Sequence, residues 1–330
     1  MNGSTISEFI LLGFSCPRSA QPFLFTFVLV CYTTILLGNF LIMVTVLSEP
    51  RLLQSPMYFF LVNLSLLDMS MGSVGTPKLM ADLLNNGSTI SYGGCMAQLY
   101  FLHVFGGAEM LLLTLMAYDR YLAICQPLRY TTIMDRKHCF RLLTVCWAGG
   151  LIHGTFQILT IAQLPFCGPN VLDNFFCDIP QVIKLACSDI YVTNMLMVIN
   201  SILLTLPCFL SILVSYVIIL ATLCSRFGKG SGKAFSTCGS HLMVVSLFYL
   251  PIVYVYLKLS SSTQLDKMVS VFYMVLTPAL SPLIYTLRNQ EMKGTIGKLK
   301  CKCKLLLLSQ REYMCEISFP YQRLCCVYDT

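Results

Sequence analysis

Seven long apolar stretches, separated by short polar segments, dominate the pattern of hydrophobic and polar residues along this chain. They lie at residues 23–47, 57–79, 96–118, 142–161, 194–223, 242–259 and 268–287. Each is long enough for a helix that crosses the ~30 Å hydrocarbon core of a bilayer, which takes about 20 residues. Because a backbone in lipid must satisfy its own hydrogen bonds, the pattern predicts an all-α bundle of seven transmembrane helices.

The composition of the 330-residue chain agrees with a membrane protein. Hydrophobic residues make up 56% of it and charged residues only 11%, whereas soluble domains contain about 25% charged residues. The net charge of +7 does not indicate nucleic acid, because the basic residues are scattered between apolar stretches or gathered in the tail. We therefore expect membrane lipid as a partner and no nucleic acid.

The distribution of basic residues predicts how the bundle is oriented. With the N-terminus outside, all but five of the 22 Lys and Arg residues fall on the inner side. The positive-inside rule therefore predicts an extracellular N-terminus and a cytoplasmic C-terminus. The outer five would be Arg18, Lys78, Lys184, Lys258 and Lys267.

This orientation divides the chain into three parts. We expect an extracellular N-terminus at 1–22, the seven-helix domain at 23–290, and a cytoplasmic tail with a short amphipathic helix at 291–330. The triplet that begins at Asn2 is an acceptor for N-glycosylation and would face the lumen.

Four of the 17 cysteines lie in loops predicted to be outside the cell. Because that compartment is oxidising, disulfides are favoured over free thiols there. Four cysteines allow three pairings, and spacing alone does not choose among them. The four are Cys95, Cys167, Cys177 and Cys187.

Two carboxylates lie inside predicted spans at a similar depth. Asp68 is about 17 Å above the inner start of the second span, and Glu109 is about 15 Å above Asp119 on the third. Ser281 lies a little lower on the seventh span. Two like charges in this environment require a cation or a shared proton. The alternative is that each acid only hydrogen-bonds neighbouring helices.

The segment MAYDRYLAICQPLRY at 116–130 ends the third span with an adjacent acid and arginine. On the residues alone, Arg120 could simply mark the inner end of a helix. The segment resembles the signature of the odorant receptors, which are rhodopsin-like (class A) G-protein-coupled receptors. The similarity runs from about residue 5 to 300, and further segments match in order: LLGNFLI, PMYFFLVNLSLLD, FFCD, KAFSTCGSHL and PALSPLIYTLRN.

This resemblance implies a receptor, not an enzyme. It implies that a small, neutral, volatile odorant activates a heterotrimeric G protein of the stimulatory, olfactory type and raises cyclic AMP. It also implies a place in the plasma membrane, in the sensory cilia of olfactory neurons. The implied switch that admits the G protein consists of Asp119, Arg120, Tyr121, Tyr216, His241 and Tyr285.

The resemblance also supplies pairings and one departure. It implies that Cys95 pairs with Cys177, and Cys167 with Cys187. Ser281 stands where the family usually has Asn. A serine offers fewer hydrogen-bonding groups than an asparagine to a bound sodium ion. Sodium is the one cofactor that the two intramembrane acids would suit.

We expect the ligand pocket between the outer halves of the third, fifth, sixth and seventh spans. A cationic amine is disfavoured there, because it would lose its hydration with no carboxylate as a partner. His103 and the glycines could instead serve helix packing. The expected lining is Leu102, His103, Gly106, Gly107, Asn200, Ser201, Leu204, Tyr249, Ile252, Val253 and Tyr256.

Two other functions fit the sequence less well. A transporter or channel with Asp68 and Glu109 along an ion path would predict inverted repeats, and the two halves of the chain show no such symmetry. A membrane enzyme would need a catalytic motif. The sequence has no HExxH or GxSxG, and its four histidines are dispersed.

Overall fold

A computed structural model describes residues 6–14, 17–85, 88–167, 169–225, 231–257, 264–289 and 291–299. Asn2, the tail from residue 300 and the side chain of Tyr256 lie outside this description. All seven predicted stretches are helical over their described residues, so the prediction of an all-α bundle is confirmed. The helices are α1 (Gln21–Leu47), α2 (Pro56–Leu84), α3 (Tyr92–Cys125), α4 (Arg136–Ala162), α5 (Tyr191–Ser225), α6 (Ser231–Leu257) and α7 (Gln264–Val271, a π-helical turn Phe272–Leu276, and Thr277–Arg288).

Within the described residues, six of these helices are long and apolar enough to cross a membrane. The apolar part of α6 is shorter, at Cys238–Tyr254. Most helices extend past their apolar stretches, because polar residues at the ends also satisfy helical backbone groups. The Ser91 hydroxyl accepts a hydrogen bond from the Gly94 amide at 3.1 Å, and the Asp135 carboxylate accepts one from the His138 amide at 2.7 Å.

Short elements join the long helices. Helical turns lie at Pro50–Leu53, Pro127–Ile133, Ile179–Val182 and Ile183–Leu185. The chain divides into a first unit that ends at Arg288 and a second that begins at Asn289. This unit contains a helix at 291–299, and the Asn289 side chain caps it by accepting hydrogen bonds from the Glu291 and Met292 amides.

A small sheet, which the sequence pattern did not predict, lies at one end of the bundle. Its strands are β1 (Glu8–Leu11), β2 (Thr89–Ser91) and β3 (Val171–Leu172). The central strand β1 pairs antiparallel with β2 and parallel with β3. Phe9 and Leu11 of β1 are buried in a cluster that includes Cys95 and Cys177. We call this end of the bundle the disulfide end.

Both disulfides implied by the resemblance are present. Cys95 bonds to Cys177 with Cα atoms 5.5 Å apart, and Cys167 bonds to Cys187 with Cα atoms 5.7 Å apart. The first bond joins the start of α3 to the loop 163–190. The second closes a smaller ring within that loop.

Helices α3 and α4 approach closely because α4 carries glycines on the facing side. A Cβ added at Gly150 would lie 2.4 Å from the Val104 carbonyl oxygen and 2.7 Å from the Ala108 amide nitrogen. A Cβ added at Gly154 would lie 2.5 Å from a Val104 methyl. Small residues at such a crossing allow helix backbones to touch in the membrane.

We predict that Gly150→Ala destabilises the bundle by roughly 1–3 kcal/mol, because the added methyl meets backbone atoms that cannot rotate away. Thermal unfolding of the purified chain in detergent measures this loss. Gly93→Ala is the matched control, since a Cβ at Gly93 meets nothing within 4 Å. Equal melting temperatures for the Gly150→Ala chain and wild type would contradict the prediction.

Candidate functional site

A cavity of about 220 Å³ lies between the helices near the disulfide end. It is smaller than the roughly 300–1,000 Å³ of sites for drug-sized ligands, so it suits a smaller molecule. Side chains from α2 to α7 and from the loop line it. The lining consists of Met71, Leu102, His103, Gly106, Gly107, Met110, His153, Gln157, Phe176, Cys177, Asp178, Ile179, Pro180, Ile183, Asn194, Met197, Val198, Ser201, Thr205, Phe248, Ile252 and Tyr273.

Six of the expected pocket residues line this cavity. Four of them lie on α3, one on α5 and one on α6. A Cβ added at Gly107 would lie 3.3 Å from the Gly150 Cα, so Gly107 also serves the close packing of α3 against α4. The six are Leu102, His103, Gly106, Gly107, Ser201 and Ile252.

Four other expected residues lie elsewhere. Tyr249 is buried against the rings of Phe209 and Phe248, with centroids 5.6 Å away in each case. Val253 is 39% exposed, because one residue past Ile252 the helix has turned by about 100°. The other two do not line the cavity but lie next to residues that do. They are Asn200, which hydrogen-bonds His153, and Leu204, which lies beside Gly107.

Helix α4 contributes two lining residues that the sequence analysis did not assign. His153 and Gln157 are four residues apart, so they lie one turn apart on the same face. Both are polar side chains within an apolar stretch, and such residues are functional candidates by default. Applied to the fourth span, this rule would have identified both residues, but the expected pocket did not include that span.

Hydrogen bonds hold these polar groups in place. The His103 Nδ1 lies 2.8 Å from the Leu99 carbonyl oxygen, and the His153 Nδ1 lies 3.0 Å from the Asn200 amide nitrogen. Gln157 donates to the Ser201 hydroxyl at 2.9 Å. The two imidazole rings are 5.8 Å apart between centroids, so α3, α4 and α5 present one connected polar surface.

The loop 163–190 is fixed over the cavity by contacts beyond the disulfide. The Gln98 side-chain oxygen accepts a hydrogen bond from the Cys177 amide at 2.8 Å. On α7, the buried Lys267 donates to the Gly13 carbonyl oxygen at 2.8 Å and to the Asp173 carboxylate at 2.6 Å. One ammonium group therefore ties the N-terminal segment, the loop and α7 together.

The loop also brings a carboxylate to the cavity, which corrects the expectation that a ligand would meet none. Asp178 lines the cavity. Burial raises the pKa of this carboxyl to about 6. The Ile179 amide and the Lys184 ammonium oppose the rise in pKa, and the Asp266 charge adds to it.

The two intramembrane acids, Asp68 and Glu109, are each only 1% exposed. Within the described residues, no hydrogen bond of normal geometry reaches either Asp68 carboxylate oxygen or the Asn39 side-chain oxygen, although the Ser281 side chain lies near Asp68. Ser281 is also buried. Carboxylate and amide carbonyl oxygens are the kind of ligand that a hard cation prefers.

The expected switch residues occupy the opposite end of the bundle. Asp119 is buried and accepts a hydrogen bond from the Tyr130 hydroxyl at 2.8 Å. Tyr130 belongs to the short helix Pro127–Ile133, and the sequence analysis did not single it out. Burial and the Asp119 charge raise the pKa of the Tyr130 hydroxyl, so it remains a donor. Arg120 is half-buried beside this pair.

A second contact in this region joins α5 to α6. The Tyr216 hydroxyl and the His241 Nδ1 are 2.6 Å apart, and both side chains are buried. Tyr285 is buried on α7, and its hydroxyl has no hydrogen-bond partner in the described part of the chain. Tyr121 receives a hydrogen bond from Gln126 at 3.1 Å.

Comparison with known proteins finds close relatives along nearly the whole chain. The olfactory receptor family model matches residues 27–303. Human olfactory receptor 4Q3 is 54% identical over 299 residues, which is 91% of this chain and 96% of the relative. Human olfactory receptor 4K14 is 51% identical with the same coverage. Mouse olfactory receptor 4E2 is 48% identical over 300 residues, or 91% and 97% of the two chains.

We predict that Asp178→Asn stabilises the protein at neutral pH. Because the pKa of the folded carboxyl is raised from 3.8 to about 6, the folded state binds the proton more tightly than the unfolded state. Stability therefore falls as the pH rises through this window. Asn removes this loss and retains an oxygen for the Ile179 amide.

The difference in melting temperature between the Asp178→Asn variant and wild type should therefore be larger at pH 7.5 than at pH 4.5. The corresponding free energy at pH 7.5 is on the order of 1–2 kcal/mol. Asp189→Asn, at an exposed loop position, serves as the control for replacing an acid by its amide. The same difference at both pH values would refute the assignment.

Proposed function

The chain belongs to the olfactory receptor family and is a multi-pass membrane protein, and from this premise we propose that it is an odorant receptor for a small volatile ligand. The ligand occupies the cavity of about 220 Å³ near the disulfide end. The protein performs no catalytic step itself. Occupancy activates a heterotrimeric G protein of the stimulatory, olfactory type and so raises cyclic AMP.

The cavity is the observation that carries this proposal. It is closed on one side by a loop that a disulfide and Lys267 hold in place. Apolar side chains such as Met110, Phe248 and Ile252 make up much of its lining. Burying the apolar surface of a small ligand against such groups is favourable by about 25 cal/mol per Å².

We place the disulfide end outside the cell and residue 120 inside it. Disulfides form in oxidising compartments, and the basic residues are concentrated toward the other end of the bundle. The protein then acts in the plasma membrane, in the sensory cilia of olfactory neurons, with the G protein at its cytoplasmic face.

Activation requires that a change at the cavity reach the cytoplasmic end. Helix α6 contributes both Ile252 to the cavity and His241 to the contact with Tyr216. We propose that the ligand shifts α6, breaks the contact between Tyr216 and His241, and exposes Arg120 to the G protein. Because α6 carries both contacts, it couples the two ends.

We predict that Arg120→Ala abolishes the rise in cyclic AMP evoked by odorants, since the G protein loses its contact on α3. Cells that express the full chain with a stimulatory G protein are screened against an odorant panel, with surface expression measured by an N-terminal epitope tag. Arg18→Ala removes a cation at the disulfide end and should leave the response intact. A full response from the Arg120→Ala receptor would refute this role.

We also propose that Asp68 and Glu109 hold a sodium ion. The side-chain oxygens of Asp68 and Asn39 are its ligands, and Ser281 of α7 lies near Asp68. An ion bound only by the folded state stabilises it in proportion to the logarithm of its concentration.

The melting temperature of the purified receptor should therefore be higher in sodium chloride than in choline chloride at equal ionic strength. Asp68→Asn should remove this difference, whereas Asp82→Asn, at the disulfide-end turn of α2, should preserve it. Equal melting temperatures in the two salts would exclude the ion and favour a proton shared by the two carboxyls.

A further inference from the structure

Three polar side chains of the cavity lie on one wall, formed by α3 and α4. They are His103, His153 and Gln157, and we call them the polar wall. Among its described side chains, α6 contributes the apolar Phe248 and Ile252 to the lining. A ligand that fits therefore has an apolar body and at least one polar group directed at this wall.

His103 makes a hydrogen bond through one ring nitrogen, and this bond determines that its other nitrogen is the acceptor. The Leu99 carbonyl oxygen, 2.8 Å away, can only accept a hydrogen bond, so the Nδ1 of His103 carries the hydrogen. In a neutral imidazole the other nitrogen is then an acceptor. His103 thus offers the lone pair of its Nε2.

His153 has the opposite arrangement. Its Nδ1 accepts from the Asn200 amide NH₂ at 3.0 Å, so in the neutral ring the Nε2 carries the hydrogen and is a donor. The Cδ2 atom beside it would lie 3.3 Å from a Cβ at Gly107. His153 itself lines the cavity, so a ligand held there meets this ring.

Gln157 supplies a second acceptor that nothing in the described chain uses. Its amide NH₂ donates to the Ser201 hydroxyl at 2.9 Å and approaches the Met197 carbonyl oxygen at 3.4 Å. Its Oε1 is buried without a hydrogen-bond partner, and the residue is only 2% exposed. A buried acceptor left unpaired costs about 1–3 kcal/mol, which a ligand donor would recover.

We propose that the polar wall selects an aliphatic alcohol, with Gln157 and His153 as its specificity-determining residues. A hydroxyl group both donates and accepts. It donates to the Gln157 Oε1 and accepts from the His153 Nε2. A ketone or an ether only accepts and leaves both wall acceptors unpaired, and an alkane does neither. This inference rests on the proposed odorant function and names the chemical class of its ligand.

An amine is the rival ligand, because Asp178 lines the same cavity from the loop. A cationic amine would pair with that carboxylate and would not need the Gln157 oxygen. The two ligand classes therefore depend on different residues, and Asp178→Asn separates them from Gln157→Leu.

The test uses cells that express the full-length receptor with a stimulatory G protein. They are given a series of one chain length: a primary alcohol, its methyl ether, the ketone, the alkane and the primary amine. One additional hydrogen bond of ordinary strength corresponds to about tenfold in affinity. The alcohol should therefore be about tenfold more potent than the ether or the ketone.

The variants identify the groups that discriminate. Gln157→Leu should lower the potency of the alcohol about tenfold, which one hydrogen bond explains, and leave the ether unchanged. His153→Phe, an independent change in the wall, should weaken both compounds. Val198→Ala is the matched control, since it removes apolar contact for every compound and should preserve the ratio of alcohol to ether. Surface expression is measured for each variant.

The outcomes separate this inference from the function on which it rests. Equal potency of alcohol and ether, or an equal shift of both in Gln157→Leu, would overturn the inference while the receptor still detects odorants. An amine that is most potent and depends on Asp178 would overturn it in favour of the rival ligand. Silence to the whole series and to a broad odorant panel, from a receptor shown at the cell surface, would refute the proposed function as well.

Discussion

The hydrocarbon environment leaves a buried polar group no water to bond, and the organisation of this protein follows from that constraint. Backbone groups are satisfied within helices, and most intramembrane hydroxyls, such as those of Thr33 and Thr114, donate to the carbonyl one turn earlier. Polar atoms that remain without a partner are therefore informative. In the described part of the chain they include atoms of Asp68, Gln157 and Tyr285, which belong to the proposed ion site, the cavity and the switch.

The seven helices were predictable because length and hydrophobicity suffice to define a span. The sheet was not, since β1 is only four residues long and its register depends on partners about 80 and 160 residues away. The disulfide pairing came from the family resemblance, because spacing among four cysteines leaves three possibilities. It was harder still to predict from the sequence which side of a helix faces the cavity. Ile252 and Val253 are neighbours in sequence, and only the first lines it.

Two parts of the site depended on tertiary structure in a different way. Asp178 reaches the cavity because the bond between Cys95 and Cys177 holds its loop there. His153 and Gln157 line the cavity because Gly150 and Gly154 let α4 approach α3 at van der Waals distance. In both cases Asp178, His153 and Gln157 are positioned by other residues, so their place in the site does not follow from their own chemistry.

The contact made by Lys267 limits which changes of chain length this protein tolerates. Its ammonium group meets the carbonyl of Gly13, which adopts a left-handed conformation with φ of 62°, and β1 ends only two residues earlier. Consider a deletion or insertion of one residue between β1 and Gly13. It would either turn Phe9 and Leu11 from the buried face of the strand to the exposed face, or move the Gly13 carbonyl away from the lysine. An N-terminal segment usually varies freely in length. Here the spacing from residue 8 to residue 13 is as constrained as a turn inside a folded core.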